Sequence, residues 1–121
     1  NRIQVAKEKG LKIYNHGFVE PYTLYKDCAY LIYPSKRESF GLGLIEGATA
    51  GCEVVASDLP YVHSVVRPLK SFDSDSPEDI AKAVIESQKI KKGIYYTELK
   101  INNQIKQLID FISSSAVKSL N

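Results

Sequence analysis

The fold is decided by residues 29–58, which read AYLIYPSKRESFGLGLIEGATAGCEVVASD. An uninterrupted apolar run at 29–33 and a second apolar run within 53–57 flank a segment with helical spacing at 41–51. Continuous apolar runs of this length are typical of strands that are buried on both faces of a parallel sheet. A strand, a helix and a second strand in this order predict one right-handed crossover unit of a parallel α/β sheet.

The flanking sequence continues this alternation. Short strands are predicted at Lys12–His16 and Leu69–Phe72, and short helices at Pro21–Asp27 and Tyr61–Arg67. The predicted fold class is therefore α/β, with a partial Rossmann-like parallel sheet flanked by helices. About four strands can be found, whereas a doubly wound nucleotide-binding domain has about six, so we expect upstream strands to be missing.

A longer helix is predicted after residue 76. Ser76 can cap the free backbone N–H groups, Pro77 fits the first helical turn, and Asp79 stands at the capping-box position. The core face predicted for this helix comprises Ile80, Val84 and Ser87, with Ala81 and Ile85 beside it.

From the start of the sequence we expect an internal or C-terminal piece of a longer protein. The sequence contains no Met, and residues 1–10 resemble the second half of a helix that Gly10 ends. Apolar residues at helical spacing in Ile101–Ile112 predict a C-terminal helix within residues 95–121. We expect residues 1–121 to be part of one domain, with the helix within residues 95–121 packing on it.

Composition excludes several classes of protein. Apolar residues make up 44% of the chain and charged residues 25%, as in ordinary globular domains. The net charge of 16 − 14 = +2 is too small to indicate nucleic-acid binding. No apolar run is long enough to span a bilayer. Cys28 and Cys52 form no CxxC pair and have no His at metal-ligand spacing, so we expect two buried thiols, no metal site and a cytoplasmic location.

The segment that follows the first apolar strand carries the chemistry. Ligands of open parallel sheets bind beyond the carboxyl ends of the strands, and residues 34–47 begin at such an end. The glycines at 41 and 43 let a backbone approach a ligand closely, and the amides of residues 40–42 suit an anion such as phosphate. Glu38 and Glu46 can accept hydrogen bonds from vicinal hydroxyls. Together these features predict a nucleotide-sugar site.

Residues 34–51, PSKRESFGLGLIEGATAG, resemble the signature of retaining GT-B glycosyltransferases of family 4, P-S-x-x-E-x-F-G-x-x-x-x-E-(A/G)-x-A-x-G. The two glutamates keep the E-x7-E spacing of that family. The flanks are similar too, since Gly17-Phe18-Val19 matches its G-x-V turn and residues 54–58 match its V-V-A-S-D strand end. The resemblance covers about residues 10–90 and implies the C-terminal, donor-binding half of a GT-B enzyme. Residues 1–121 would then be part of one nucleotide-sugar-binding domain. The helix within residues 95–121 would pack on this domain or cross to an N-terminal acceptor domain that this sequence lacks.

The resemblance implies a glycosyltransferase of hexosyltransferase type that moves a sugar from a nucleoside diphosphate sugar to a glycan, polysaccharide or lipid-linked acceptor. Glu38 would bind the donor sugar and support charge at the anomeric carbon, and Glu46 would bind the ribose hydroxyls. Phe18 and Val19 would lie near the base. No metal or other cofactor is implied. The diphosphate and sugar would be held by the backbone of Ser39, Phe40, Gly41 and Leu42.

Some positions depart from the family pattern. The paired Arg and Lys that clamp the diphosphate would lie upstream of this chain, and the fragment alone is expected to be inactive. Lys36 and Arg37 occupy variable positions and are expected to be solvated. Residues 59–64 replace the glycine pair and glutamate of many members. The lysines in Lys89–Lys92 suit a solvated helix end or a peripheral contact of the full-length protein with anionic lipid.

An alternative interpretation is a non-catalytic nucleotide-binding module or a flavodoxin-like regulatory module. The strand ends at Gly17, Ser35 and Asp58 lack the clustered acids and the lysine that a phospho-receiver needs. A degenerate transferase domain remains open, because the residues of the upstream clamp lie outside this sequence.

Overall fold

The computed structural model describes residues 2–17, 21–37, 41–100 and Asp110. Helices and strands alternate through most of this part of the chain, as the apolar pattern predicts. In chain order the elements are α1 (Arg2–Glu8), α2 (Pro21–Tyr25), β1 (Tyr30–Tyr33), α3 (Leu42–Thr49), β2 (Glu53–Ser57), α4 (Pro60–Val65), β3 (Val66–Arg67), β4 (Lys70–Phe72), α5 (Pro77–Gln88) and β5 (Glu98–Leu99).

The central sheet consists of three parallel strands in the order β1-β2-β4. Tyr30 of β1 lies opposite Glu53 of β2, and Ser57 at the end of β2 lies opposite Phe72 of β4. The predicted fold class, a partial Rossmann-like parallel sheet flanked by helices, is confirmed. β3 and β5 form a separate antiparallel pair that the sequence did not predict, because each contributes only two residues.

The residues of β2 alternate between two hydrophobic layers, so helices are needed on both faces of the sheet. Val54 and Ala56 belong to the layer under α3 and α4, and both are fully buried. Val55 belongs to the opposite layer, with Phe72 of β4 and Ala83 of α5. The first layer is completed by Leu44, Ile45, Val62, Val65 and Val66.

Two glycines let α3 lie close to β1. A Cβ atom built on Gly43 would lie 2.8 Å from Cε2 of Tyr33, and one built on Gly47 would lie within 3.0 Å of the Leu31 side chain. Real Cβ atoms essentially never approach other atoms so closely. A side chain at either position would therefore require its neighbour on β1 to move, which is why glycine suits this face of the helix.

The start of α5 is the one predicted, and its buried face is turned slightly from the predicted one. The Ser76 hydroxyl accepts a hydrogen bond from the Asp79 amide at 3.1 Å, as an N-cap does. The Asp79 carboxylate accepts from the amide of Asp73 at 2.7 Å, so it ties the helix to the preceding turn.

The most buried residues of α5 are Ala83 and Ser87, whereas the side chain of Ile85 is 53% exposed. Ile80 and Val84 are half-buried, and Ala81 is exposed.

Three expectations about burial and pairing are wrong. No strand forms at Lys12–His16, because no described strand lies beside it to bond its backbone, and Tyr14 is 74% exposed. β1 is not buried on both faces: it lies at the edge of the described sheet, and Ile32 is 41% exposed. Cys28 is exposed, since it follows α2 in a surface turn, whereas Cys52 is buried as expected.

The other predicted helices agree with the structure to different extents. α1 occupies most of the predicted Asn1–Gly10 helix. The helix predicted at Tyr61–Arg67 ends at Val65, and its last two residues form β3. Residues 95–100 are not helical, and the predicted Ile101–Ile112 helix lies outside the described residues. Among the residues that are described, no helix is both long and apolar enough to cross a membrane.

Candidate functional site

The carboxyl ends of the three parallel strands meet at one edge of the sheet. β1 leads into residues 34–37, β2 into Asp58 and β4 into Asp73. The chain leaves β1 at this edge and returns to the start of β2, so α3 runs back across the sheet. The amino end of α3 therefore lies at the edge where ligands of open parallel sheets bind.

The turn into α3 depends on the conformation of Gly41. This residue has φ 66° and ψ 35°, a left-handed backbone conformation that favours glycine. Gly41 is buried, and a Cβ atom built on it would lie 3.4 Å from Cγ2 of Val65 and 4.0 Å from Cδ2 of Tyr61. Leu42, the first residue of the helix, is 39% exposed. The sequence predicted that the backbone amides of residues 40–42 bind an anion. Of these residues, Gly41 lies beneath α4 and Leu42 lies at the surface.

Glu46 lies on α3 at the side that faces α2. Glu46 is half-buried, and its carboxylate interacts electrostatically with Tyr25 of α2. Burial, and after it the Glu46 carboxylate, raise the pKa of Tyr25. The Tyr25 carbonyl also accepts a hydrogen bond from Sγ of Cys52 at 3.1 Å. The sequence did not indicate Tyr25 as a neighbour of Glu46, because the two residues come from different helices and no local pattern relates them.

The turn after β1 carries an ion pair. Nζ of Lys36 bonds Oδ1 of Asp75, which lies in the turn between β4 and α5. The two side chains are 58% and 73% exposed, so solvent screens the pair and its contribution to stability is small. Lys36 is solvated as predicted, and Arg37 is exposed. The partner of Lys36 could not be predicted, because Asp75 lies 39 residues away.

A polar cavity of about 410 Å³ opens at the same edge, beside the ends of β2 and β4. On its rim, Nε2 of His63 lies 2.6 Å from Oδ1 of Asp58, and both side chains are partly exposed. Within the described residues, no group of three or more His, Cys, Asp or Glu side chains is arranged to hold a metal ion. The cavity is lined by Asp58, Leu59, Ser71, Phe72, Asp73, Ser74, Asp75 and Asp79.

The structure locates three of the predicted site residues, Gly41, Leu42 and Glu46, all at or within α3. It brings the start of this helix to the carboxyl edge of the sheet and sets Glu46 beside α2. The shared cavity predicted for the two glutamates stays a prediction. The other predicted site residues lie outside the described residues: Phe18, Val19, Glu38, Ser39 and Phe40.

Comparison with known proteins relates most of the chain to one family. The family model described as "Glycosyl transferases group 1" matches residues 3–109. Two curated proteins, both serotype-specific mannosyltransferase WbdA of Escherichia coli, are 39% identical over 64 residues. The matched segment is 52% of this chain but only 8% of each relative. No solved structure matches significantly.

Proposed function

The chain belongs to the group 1 glycosyl transferases, and we propose that it forms part of the donor site of a family-4-like, retaining enzyme with the GT-B fold. In this proposal the chain is the C-terminal half of the catalytic unit. The observation that carries the proposal is the placement of α3. Its glycine-led amino end lies at the carboxyl edge of the parallel sheet, and Glu46 lies half-buried further along the same helix.

The proposed chemistry assigns a separate role to each part of the motif. Backbone N–H groups at a helix start favour an anion, so the amides of residues 39–42 would hold the donor diphosphate. The carboxylate of Glu38 would bind sugar hydroxyls and stabilise positive charge as the anomeric carbon loses its leaving group. Glu46 would accept hydrogen bonds from the ribose, with Phe18 and Val19 near the base.

The substrate class follows from the family and from the named relatives. Because the relatives are mannosyltransferases, we propose a mannosyl donor as the first sugar to test. The acceptor would be a glycan, a polysaccharide or a lipid-linked sugar. No metal or other cofactor enters the proposal, since basic side chains from outside this chain would neutralise the diphosphate. We also propose a cytoplasmic location with peripheral membrane contact through the complete protein.

The proposal is tested with the complete protein that contains this chain. Transfer and donor hydrolysis are measured against nucleoside diphosphate sugars in which base and sugar vary separately. Glu38→Gln removes the negative charge that would stabilise the positive anomeric carbon, so it should lower kcat by about 100-fold or more. Glu8→Gln is the matched control, because Glu8 is exposed on α1 and lies outside the motif. Unchanged turnover in Glu38→Gln would refute the role of Glu38.

A second measurement isolates the ribose contact. A hydrogen bond to a charged group contributes about 1.5–3 kcal/mol, so Glu46→Ala should weaken ribonucleotide binding about tenfold or more. The same substitution should hardly change the affinity for the nucleotide that lacks the ribose hydroxyls. Equal losses for both nucleotides would contradict the ribose assignment. Tight nucleotide binding without any turnover would instead favour the non-catalytic nucleotide-binding alternative.

A further inference from the structure

The turn between β1 and α3 is fastened by side chains that come later in the chain. The Ser57 hydroxyl, fully buried at the end of β2, donates to the Tyr33 carbonyl at 3.3 Å. Two residues further along the turn, the carbonyl of Ser35 accepts a hydrogen bond from the hydroxyl of Tyr61. Tyr61 lies on α4, so the position of the turn depends on the neighbouring strand and helix as well as on its own sequence.

Tyr61 also lies close to the other end of the same turn. A Cβ atom added to Gly41 would lie 4.0 Å from Cδ2 of Tyr61. The ring is half-buried and packs against the hydrophobic layer under α3 and α4. One side chain therefore bonds the chain before residues 38–40 and lies near it after them, and this stretch includes Glu38.

We propose that Tyr61 is a positioning residue for the donor-binding turn. Its hydroxyl and its ring together set the separation of Ser35 from Gly41, and so the distance between the segment that leads to Glu38 and the amino end of α3. A misplacement of about 1 Å at a reacting group can lower a rate by about 100-fold. This inference rests on the proposed transferase function, and it adds a residue that lies outside the resemblance motif.

The ion pair of Lys36 with Asp75 offers a contrast within the same turn. It also holds the turn to a later connection, but both of its side chains are exposed and solvent screens their attraction. The hydrogen bond from Tyr61 is partly buried, so solvent competes with it less than with the ion pair. We therefore expect Asp75→Asn to have a small, salt-dependent effect, and removal of the Tyr61 hydroxyl to have a much larger one.

The kinetic test uses Tyr61→Phe in the complete protein, with Tyr14→Phe as a matched control because Tyr14 is 74% exposed. We expect kcat to fall about tenfold or more in Tyr61→Phe, while the affinity for free nucleoside diphosphate changes by less than about threefold. Asp75→Asn and Tyr14→Phe should stay within about twofold of the parent. A folded Tyr61→Phe variant with the kcat of the parent would overturn the inference.

Limited digestion with trypsin tests the same inference without activity. The turn contains Lys36 and Arg37, both exposed. Tyr61→Phe should accelerate cleavage there several-fold and leave cleavage after Lys91 unchanged, whereas a general loss of stability would accelerate both. Unchanged cleavage at Lys36 and Arg37 would overturn the positioning role. If the parent protein neither binds nor turns over any nucleotide sugar, the proposed function fails, and the catalytic meaning of the inference fails with it.

Discussion

The hydroxyl of Thr97 provides a sharp test of how the chain is held together. Thr97 is 4% exposed, and its Oγ1 accepts the backbone N–H of fully buried Val54 at 2.9 Å. Thr97→Val preserves the branched shape but removes this acceptor, so a buried donor loses its partner. Such a loss costs about 1–3 kcal/mol. Thr97→Ser keeps the hydroxyl and removes one methyl group, at about 0.8 kcal/mol.

Thr97→Val replaces the hydroxyl by a methyl group, whereas Thr97→Ser keeps the hydroxyl and loses a methyl group. The hydrogen bond to Val54 is therefore lost in Thr97→Val and kept in Thr97→Ser. The backbone bonds from the amides of Tyr96 and Thr97 to the Glu53 carboxylate, at 3.0 and 2.8 Å, are present in both variants. We expect Thr97→Val to lower the free energy of unfolding by about 2 kcal/mol, which shifts a urea midpoint by about 1 M. Hydrogen exchange at the amide of Val54 should accelerate in Thr97→Val alone. An equally protected amide in both variants would refute the reasoning.

Two further predictions concern titratable side chains. Cys28 is exposed, whereas Cys52 is buried and its pKa is raised. A maleimide should therefore label Cys28 at least about tenfold faster than Cys52 near neutral pH. Equal labelling rates would count against this burial pattern. Burial, and after it the Glu53 carboxylate, raise the pKa of Tyr95, so the folded state keeps this proton to higher pH than the unfolded state. Urea midpoints should therefore fall as pH rises above 10.0, and less steeply in Tyr95→Phe; identical slopes would contradict the assignment.

The parts of the fold that could be predicted are those with local causes. β2 spans the predicted 53–57, because its continuous apolar run is buried between two neighbouring strands. The cap at Ser76 was predictable because its hydroxyl and the Asp79 amide are three residues apart. Such signals lie within one stretch of sequence and need no knowledge of the rest of the chain.

The parts that could not be predicted depend on partners that are distant in sequence. The alternation in Lys12–His16 is as good as in many strands, but a strand also needs a neighbour to bond its backbone. The same reasoning explains why Ile32 is exposed although AYLIY is apolar throughout: β1 has only one neighbour within the described sheet. Of the candidate site, the sequence predicted the helix that follows β1 and its place at the carboxyl edge of the sheet. The roles of Glu38 and Glu46 stay predictions, and the later side chains that hold the turn were not predicted.

The glycines of the motif show how far a resemblance in sequence can support a function. Gly43 leaves room for the ring of Tyr33 and Gly47 for the side chain of Leu31, so the packing of α3 against β1 favours glycine at both positions. Gly41 is required by its positive φ. These causes would hold in any domain that packs such a helix so closely, whether or not it binds a sugar nucleotide. Neither glutamate enters these packing causes, so substitution of Glu38 or Glu46 tests the proposed function more directly than substitution of any glycine.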